Sequence, residues 1–322
     1  MSTREIGRNL LWRFPLNRAE VVFPSPRRSP NSGPPGAMSL ALRPVIAALI
    51  VGLSLGVLQP AQAQSPPGAK TRSDTVDLSS TGKVEIDNRM GSITVTTWDR
   101  AQVGYEVTLA PSEGDSVVAT DFDIDHSDDE LSFGHDHSWS IRIPGLLTIS
   151  PDGTSEPVGH FRVVMPETAH LEIDDYDSTI EVSGVRGNVT IDTHAGTVTA
   201  EEVGGNVQLE TFSSAATASG LRGETEFETH SGRITAAFEE FSAESSAETH
   251  SGPLYFYFPS DTGFVLETDA DSSQFTIDEA FGAPSKDDDR WSFNGGGPDL
   301  FVETFSGTVE VRPLNAYPPP ER

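Results

Sequence analysis

The chain has no cysteine in its 322 residues. This absence excludes disulfides, thiolate metal sites, a thiol nucleophile and a lipid-attachment cysteine after a leader peptide. Basic residues are also few, at 21 Lys and Arg against 49 Asp and Glu. Binding to nucleic acid or to an anionic membrane depends on Lys and Arg that neutralise phosphates, so we expect neither partner.

Long apolar runs are scarce as well, and the clearest one lies near the N-terminus. Arg43 precedes an apolar stretch over 45–58, and the small-residue sequence Ala61-Gln-Ala63 follows it. This order predicts a secretory signal peptide over 38–63. The stretch is about 14 residues long, which is shorter than the roughly 18 to 20 that a membrane-spanning helix needs. We therefore expect an exported protein that does not span a membrane after cleavage, and that is periplasmic, envelope-associated or extracellular.

The segment before the predicted signal peptide has too little apolar content for a core. Residues 1–37 are predicted to be disordered or wrongly assigned, with either Met1 or Met38 as the initiator. Cleavage after Ala63 would remove seven Arg and two Glu and leave 14 basic and 47 acidic residues, a net charge of about −33. This acidity is consistent with solubility in a saline habitat or with cation-dependent association, and composition alone leaves both open.

An 18-residue repeat is the main organising feature of the chain. Several columns keep the same step, including the apolar positions Ile173, Ile191, Leu209 and Phe227. Apolar and polar residues alternate within each unit, which is the period of a half-buried strand. One unit cannot bury its apolar side alone, so the units must stack. The sequence therefore predicts an all-β fold: a short β-solenoid of about 18-residue coils with a β-rich N-terminal cap.

The repeat also sets the expected boundaries along the chain. We expect a linker over 64–73, the β-rich cap over 74–166 and the solenoid over 167–312. In the later coils Thr268 follows Thr249 by 19 residues, and the stretch 279–298 interrupts the pattern, so we interpret it as a surface loop. The Pro-rich end, 313–322, is predicted to be a disordered tail.

Several of these segments together resemble the bacterial DUF4097 family of adhesin-like envelope proteins. The resemblance depends on the strand Phe161-Arg-Val-Val-Met-Pro166 and on the repeated units Thr193-His-Ala-Gly196 and Thr229-His-Ser-Gly232. It covers most of residues 80–312 and implies an extracytoplasmic β-helical domain. The family supplies no catalytic or binding residues to carry over, and likeness of fold is weak ground for function.

Histidines and aspartates offer the candidate metal ligands. On stacked coils His230 and His250 would be neighbours, whereas Phe212 would separate His194 from His230; a solvated turn histidine is the simpler interpretation. His135 and His137 share a strand face but need a third ligand from elsewhere. The segment 121–130 has alternating carboxylates but lacks the glycine that a calcium loop needs, so we expect a strand and an Asp-rich turn there. No cofactor is predicted, with Ca²⁺ left open.

Aromatic residues offer the candidate ligand face. In the strand 254–258, Tyr255 and Tyr257 point to one side and Phe256 and Phe258 to the other. One pair must belong to the core, and the tyrosines either stack on a ligand or lie under the 279–298 loop.

Three functions remain open from the sequence. The first is a non-catalytic binding module whose partner is a glycan, a surface or an envelope protein. The second is a structural or regulatory periplasmic protein that acts through a protein partner. The third is a β-helical carbohydrate enzyme, which we do not expect because Arg186 and Arg222 are single corner residues and no basic cluster recurs on one face.

Overall fold

Alternating apolar and polar residues produce an almost entirely β structure. The computed structural model describes residues 67–112, 122–135, 141–143, 147–149, 156–269, 274–287 and 290–318, with the backbone alone for 135, 141–143 and 147–149. The segments expected to be an extension and a signal peptide, 1–37 and 38–63, lie outside these residues, as does His137. Within the described ranges, helical structure is confined to two 3-10 turns, Glu279–Phe281 and Leu314–Ala316.

The described residues contain 22 β-strands. In chain order they are β1 Lys70–Asp77, β2 Lys83–Trp98, β3 Gln102–Ala110, β4 Phe122–His126, β5 Glu130–His135, β6 Ile141–Ile143, β7 Leu147–Ile149, β8 Val158–Pro166, β9 His170–Ser183, β10 Val189–Glu201, β11 Val207–Thr211, β12 Ala215–Leu221, β13 Thr225–Thr229, β14 Arg233–Phe238, β15 Ser245–Thr249, β16 Leu254–Phe258, β17 Phe264–Thr268, β18 Phe275–Ile277, β19 Ser285–Asp287, β20 Arg290–Phe293, β21 Asp299–Thr304 and β22 Val309–Pro313.

Twenty of these strands join into one large sheet, which does not close on itself. Its centre consists of two stacks of parallel strands, which we call the first and the second ladder. The long strands β2, β9 and β10 belong to both, with their N-terminal halves in the first ladder and their C-terminal halves in the second. The first ladder continues through β11, β13 and β15, and the second through β12, β14 and β16. Residues that are 18 positions apart in the sequence lie opposite each other in neighbouring strands: Ile173 of β9 faces Ile191 of β10, and Ile191 faces Leu209 of β11.

The apolar columns of the repeat form the core. Ile173, Ile191, Leu209 and Phe227 are each at most 1% exposed. Burying an aliphatic or aromatic side chain contributes about 1.5 to 3 kcal/mol relative to leaving it in water. Each added rung therefore extends the core along the stack, and its outward residues alternate into solvent.

In the later rungs, a buried threonine holds the corner between the two ladders. The hydroxyls of Thr229 and Thr249 accept hydrogen bonds from the backbone N–H groups of Gly232 and Gly252, both at 2.8 Å. A side chain at Gly252 would collide with the carbonyl oxygen of Gly232 in the neighbouring rung. The Thr-x-Ser-Gly spacing of the sequence is thus a backbone requirement of the corner.

At the N-terminal end the stack begins earlier than we expected. Strand β2 pairs in parallel register with β9 over Lys83–Val95, so it forms a rung by itself. The predicted boundary between residues 166 and 167 is therefore not a boundary of the stack. Strands β5 and β8 pair with the opposite edge of β2, and β3 and β1 continue outward. The predicted cap does cover an edge strand of the stack, but that strand is β2, which itself lies within the predicted cap. Strand β1 also begins at Lys70, within the expected linker.

At the C-terminal end the order of strands differs from the order of the chain. Strands β21 and β22 pair with β15 and β16, and the earlier β17 and β18 lie outside them. Thr268 consequently faces Val302, and it does not continue the column of Thr249, which Thr304 extends.

The segment 279–298 is not the surface loop that the sequence predicted. It contains a 3-10 turn, strand β19 and strand β20, and β20 pairs antiparallel with β17. Phe281 and Phe293 are at most 2% exposed and pack on Phe264, with ring centroids 5.5 and 4.8 Å apart. These aromatic residues bring the segment into the core. The described part of the expected tail is ordered too, since Pro313 ends β22.

The described residues 67–318 all belong to one compact unit. Within these ranges, no helix has the length and apolarity needed to cross a bilayer.

Candidate functional site

A column of carboxylates crosses the outer side of the first ladder. One acidic residue from each of seven adjoining strands lies in register with the next. We call this set the acid column: Asp87, Asp174, Asp192, Glu210, Glu228, Glu248 and Glu303. Neighbouring strands are about 4.8 Å apart, so each carboxylate has a like charge on both sides except at the ends.

This crowding changes the acidity of the column. Burial, followed by the charges of Glu210 and Glu248, raises the pKa of Glu228. The pKa of Asp174 is raised by burial and by neighbouring acids as well. Like charges directly opposite each other destabilise a pair of strands, so the column reduces the stability of the fold.

A column of stacked rings runs beside the acid column, two residues further along each strand. Its successive ring centroids are between 4.6 and 4.9 Å apart. We call this set the ring column: Tyr176, His194, Phe212, His230, His250 and Phe305. From Phe212 to Phe305 the successive planes are within 8° of parallel, so the rings cover each other's faces and present their edges to solvent.

The repeat positions the rings through the backbone. Between each acid and each ring lies a buried residue of the corner, such as Thr211 or Thr229, which points inward. The serine after the ring then donates its hydroxyl to the previous rung: Ser231 bonds the carbonyl oxygen of Phe212 at 3.3 Å, and Ser251 bonds that of His230 at 3.2 Å. These bonds hold successive corners in register, and the rings stack as a result.

The ring column leaves large apolar side chains in contact with water. Tyr176 and Phe212 are each 49% exposed, and Phe305 is 78% exposed. From Asp192 and His194 to Glu303 and Phe305, the two columns and the threonines between them line one open groove, which Asp269 and Gln274 also line. Asp174 and Tyr176 continue the two columns beyond the groove. We call this surface the acid-and-ring face. It combines a row of negative charges with a row of aromatic ring edges.

The predicted histidine positions are only partly brought together. His230 and His250 are neighbours, with parallel rings 4.7 Å apart, and Phe212 separates His194 from His230, as expected. Lone pairs of parallel stacked imidazoles lie in parallel planes and do not converge on one ion. Across the described part of the chain, no group of three or more His, Asp or Glu side chains is placed to hold a metal. The side chains of His135 and His137 lie outside the described residues.

The Asp-rich segment forms a strand and a turn. Strand β4 pairs antiparallel with β5, and Ser127 and Glu130 close the turn between them. The carbonyl oxygens of Asp128 and Asp129 accept hydrogen bonds from the backbone of Ser79 and Lys83, each at 2.8 Å. This turn therefore ties the segment to the start of β2.

The tyrosine face predicted at 254–258 is only half available. Phe256 and Phe258 are core residues, as the alternation requires, but Tyr257 is also buried, at 5% exposure. Its ring packs on that of Tyr317, 5.1 Å away, because the C-terminal residues after β22 fold back over it. Tyr257 is thus wrong as a ligand contact. Tyr255 is half-buried between the guanidinium groups of Arg233 and Arg312.

The sequence repeat predicts that the histidines and Phe212 share one column. It does not predict the two ends of the ring column, and the acid column was not recognised as a site. The acid column could have been found in the sequence, since each aligned unit carries an acidic residue directly after its core apolar residue. Tyr176 and Phe305 occupy the histidine position of their own units, and only the observed register brings Phe305 next to His250.

Comparison with known proteins gives distant similarities. No protein-family model matches the chain, so the resemblance to DUF4097 is not confirmed. No curated protein matches either. A "putative cell adhesion protein" from Clostridium sporogenes aligns over 76% of this chain and 100% of its own, at 7% identity and TM-score 0.29. A "putative adhesin" from Bacteroides fragilis aligns over 77% and 98%, at 16% identity and TM-score 0.30. Another from Parabacteroides merdae aligns over 77% and 97%, at 11% identity and TM-score 0.23. At these scores we transfer no ligand and no residue role from them.

Proposed function

We propose that this chain is an exported, non-catalytic binding module of the cell envelope, adhesin-like in its mode of action, and that it recognises its partner through the acid-and-ring face. The β-solenoid is the architecture that we propose for it. Strands β11 to β16 alternate between the first and second ladders, and the same register recurs in both, which supports a coil that passes from one ladder to the other in each repeat.

The observation that carries the proposal is the continuity of the acid-and-ring face. Six rungs carry a carboxylate and a ring at the same two positions. Neither is needed by the core, because both point away from it. The acids repel each other and so oppose folding, and the rings leave aromatic surface in contact with water, which is typical of an interaction site. Features that lower stability and recur at one surface are typical of a functional site.

A non-catalytic role is supported by three carboxylates of the acid column. Acid and base groups of an enzyme have environments that push their pKa values apart. Burial and neighbouring charges instead raise the pKa of Asp174, Glu228 and Glu303 in the same direction. These three carboxylates are therefore not set apart from one another as an acid and its base.

Retention on cell-envelope material tests the proposal. Protein purified from cells expressing the full chain would be incubated with envelope fractions and a polysaccharide panel, with and without Ca²⁺, and both retention and soluble products would be recorded. We expect saturable retention on at least one material and no products. A triple variant of the acid column, Glu210→Gln, Glu228→Gln and Glu248→Gln, should lose most of that retention.

The matched control removes three carboxylates elsewhere: Glu181→Gln, Glu201→Gln and Glu224→Gln. It should be retained like the wild type. Equal retention of both triple variants would remove the acid-and-ring face from the account, and soluble products from any polysaccharide would replace a binding module with an enzyme.

A further inference from the structure

Most carboxylates of the acid column have no ion-pair partner in the part of the chain that the structure describes. There, no Lys or Arg side chain forms an ion pair with the five members from Asp192 to Glu303, whereas the charge of Arg89 acts on Asp174. The few cations of the chain are used elsewhere: Lys83 lies 2.8 Å from Glu85 and from Glu172, and Arg222 lies 2.7 Å from Glu239. The face therefore has a strong negative charge that the protein itself does not compensate.

The ring column limits how a ligand can use its aromatic side chains. A sugar ring or a cation binds an aromatic residue over its face. The faces of Phe212, His230 and His250 are covered on both sides by their neighbours in the stack. Only the edges of these rings remain available: the edge of Phe212 offers apolar contact, the edges of His230 and His250 also carry ring nitrogens, and none of them is a stacking platform. Stacking of a glycan along the middle of the column is thus disfavoured.

The dimensions of the face favour an extended ligand. Six rungs at a spacing of about 4.8 Å give a row about 24 Å long that runs across the strands. A polyproline II segment rises about 3.1 Å per residue, so a basic residue at every third position recurs after about 9.3 Å. That repeat is close to twice the rung spacing, so every second carboxylate of the column can meet a cation.

Resting on the proposed function, we infer that the acid-and-ring face binds an extended segment of a partner protein that is rich in Lys or Arg. Its cations pair with the acid column, and its apolar atoms lie along the ring edges beside that column. Charge complementarity selects this occupant, because a second copy of the chain would bring another acidic surface to the face.

A synthetic peptide provides a direct probe. A fluorescent peptide of four Lys-Pro-Pro repeats would be titrated with protein purified from cells expressing the full chain, and binding would be followed by fluorescence anisotropy at low and physiological salt. We expect saturable binding that weakens as salt rises. The acid-column triple variant, Glu210→Gln, Glu228→Gln and Glu248→Gln, should bind about tenfold more weakly, since each lost pair costs a modest factor.

Two further variants separate the face from bulk charge. The control triple, Glu181→Gln, Glu201→Gln and Glu224→Gln, removes the same charge and should change binding less than twofold. Phe212→Ala retains the acids but breaks the ring column, and should weaken binding about threefold. Equal weakening by both triple variants would mean general attraction to an acidic protein and would overturn the inference. So would an absence of binding at low salt.

A partly deacetylated chitin oligomer, which is a cationic glycan, is the competing probe. Tighter binding of this oligomer, with displacement of the peptide, would overturn the inference in favour of a glycan. Failure of the inference is distinguishable from failure of the proposed function. If the acid-column variant loses retention on envelope material but the peptide does not bind, the face is functional and its partner is of another class.

Discussion

At the scale of single residues, the corner threonine both closes the turn with a hydrogen bond and separates the acid from the ring. The hydroxyl of Thr249 accepts the backbone N–H of Gly252 at 2.8 Å, and Thr249 is 2% exposed. Because both groups are buried, loss of either partner leaves a polar atom without compensation. The same corner places the acid on one side of the threonine and the ring on the other, so structure and site share one local motif.

Replacement of Thr249 by Val tests this motif. The valine has a similar shape but cannot accept the Gly252 N–H, so we expect a loss of about 1 to 3 kcal/mol in the free energy of unfolding. The measurement is the urea midpoint, with the slope checked for two-state behaviour. Thr179→Val, at an exposed strand position, is the control and should change stability by less than about 0.5 kcal/mol. Equal effects of the two substitutions would show that the corner hydroxyl is dispensable.

The carboxylate of Glu228 predicts a pH dependence of stability. Its pKa in the folded protein is raised above the ordinary value of 4.5 by burial and by Glu210 and Glu248. The folded state therefore holds its proton more tightly than the unfolded state does, and stability falls as the pH rises from about 4.5 through the raised pKa. We expect Glu228→Gln to have a higher urea midpoint than the wild type at pH 7.

The difference between Glu228→Gln and the wild type should shrink as the pH falls towards 4, where the wild-type carboxyl is protonated in both states. Glu181→Gln, on the second ladder, is the matched control and should raise the midpoint less. A Glu228→Gln variant that is less stable than the wild type at pH 7 would contradict the account of the acid column.

At the scale of strands, the sequence repeat predicted both the strands and their register wherever the corner motif is intact. Ile173, Ile191, Leu209 and Phe227 were aligned by the 18-residue step, and each lies opposite the next in the structure. The step succeeds because a strand that slips by one residue would turn its apolar side to water.

The same reasoning explains where prediction from the sequence failed. Residues 303–307, Glu-Thr-Phe-Ser-Gly, carry the complete corner motif. After Thr268 the sequence continues with Asp269 and has neither an aromatic residue nor a glycine at the corresponding positions. Strand β21 therefore continues the stack beside β15, and β17 is left outside it. Order along the chain suggested the opposite, because Thr268 follows Thr249 by 19 residues and a coil tolerates one added residue at a corner. The acid column was visible in the repeat, but its continuity as far as Glu303 depended on this exchange.

Engineered cysteines test the order of strands at this end. The chain has no cysteine, so a Ser246→Cys and Phe301→Cys pair has no competing thiol. The two positions face each other across β15 and β21, at a spacing that falls within the Cα separation of disulfides. We expect a disulfide under mild oxidation, detected by mass spectrometry of digested protein.

The control pair, Ser246→Cys with Glu267→Cys, is separated by the intervening β21 and should not close. Formation of this second disulfide in place of the first would mean that β17 follows β15 in the stack, and the strand order described above would be incorrect.

The segment 279–298 allows a separate test of its place in the core. Phe293 is 2% exposed and stacks on Phe264. Phe293→Ala should cost about 3 to 5 kcal/mol in the free energy of unfolding, as loss of a buried aromatic side chain does. Chemical denaturation measures this, with Ser285→Ala in the exposed strand β19 as the control. A cost below about 0.5 kcal/mol would restore the interpretation of the segment as a surface loop.

At the scale of the whole molecule, the acid-and-ring face is the feature that folding does not require. The core columns account for the stack, and the corner threonines and glycines account for its turns. The carboxylates oppose that stability, since they place like charges side by side. A molecule with a net charge of −28 could have dispersed these carboxylates, and their alignment in one column is the basis of the binding role proposed above.

The most direct test of that role is carbodiimide labelling of carboxylates, with each site measured by mass spectrometry before and after the protein binds the envelope material that retains it. If the acid-and-ring face binds this material, Glu210, Glu228 and Glu248 become several-fold less reactive in the bound protein, while Glu181 and Glu201 on the second ladder keep their reactivity. Unchanged labelling of the acid column, or protection of Glu181 and Glu201 in its place, would contradict the assignment of the binding face.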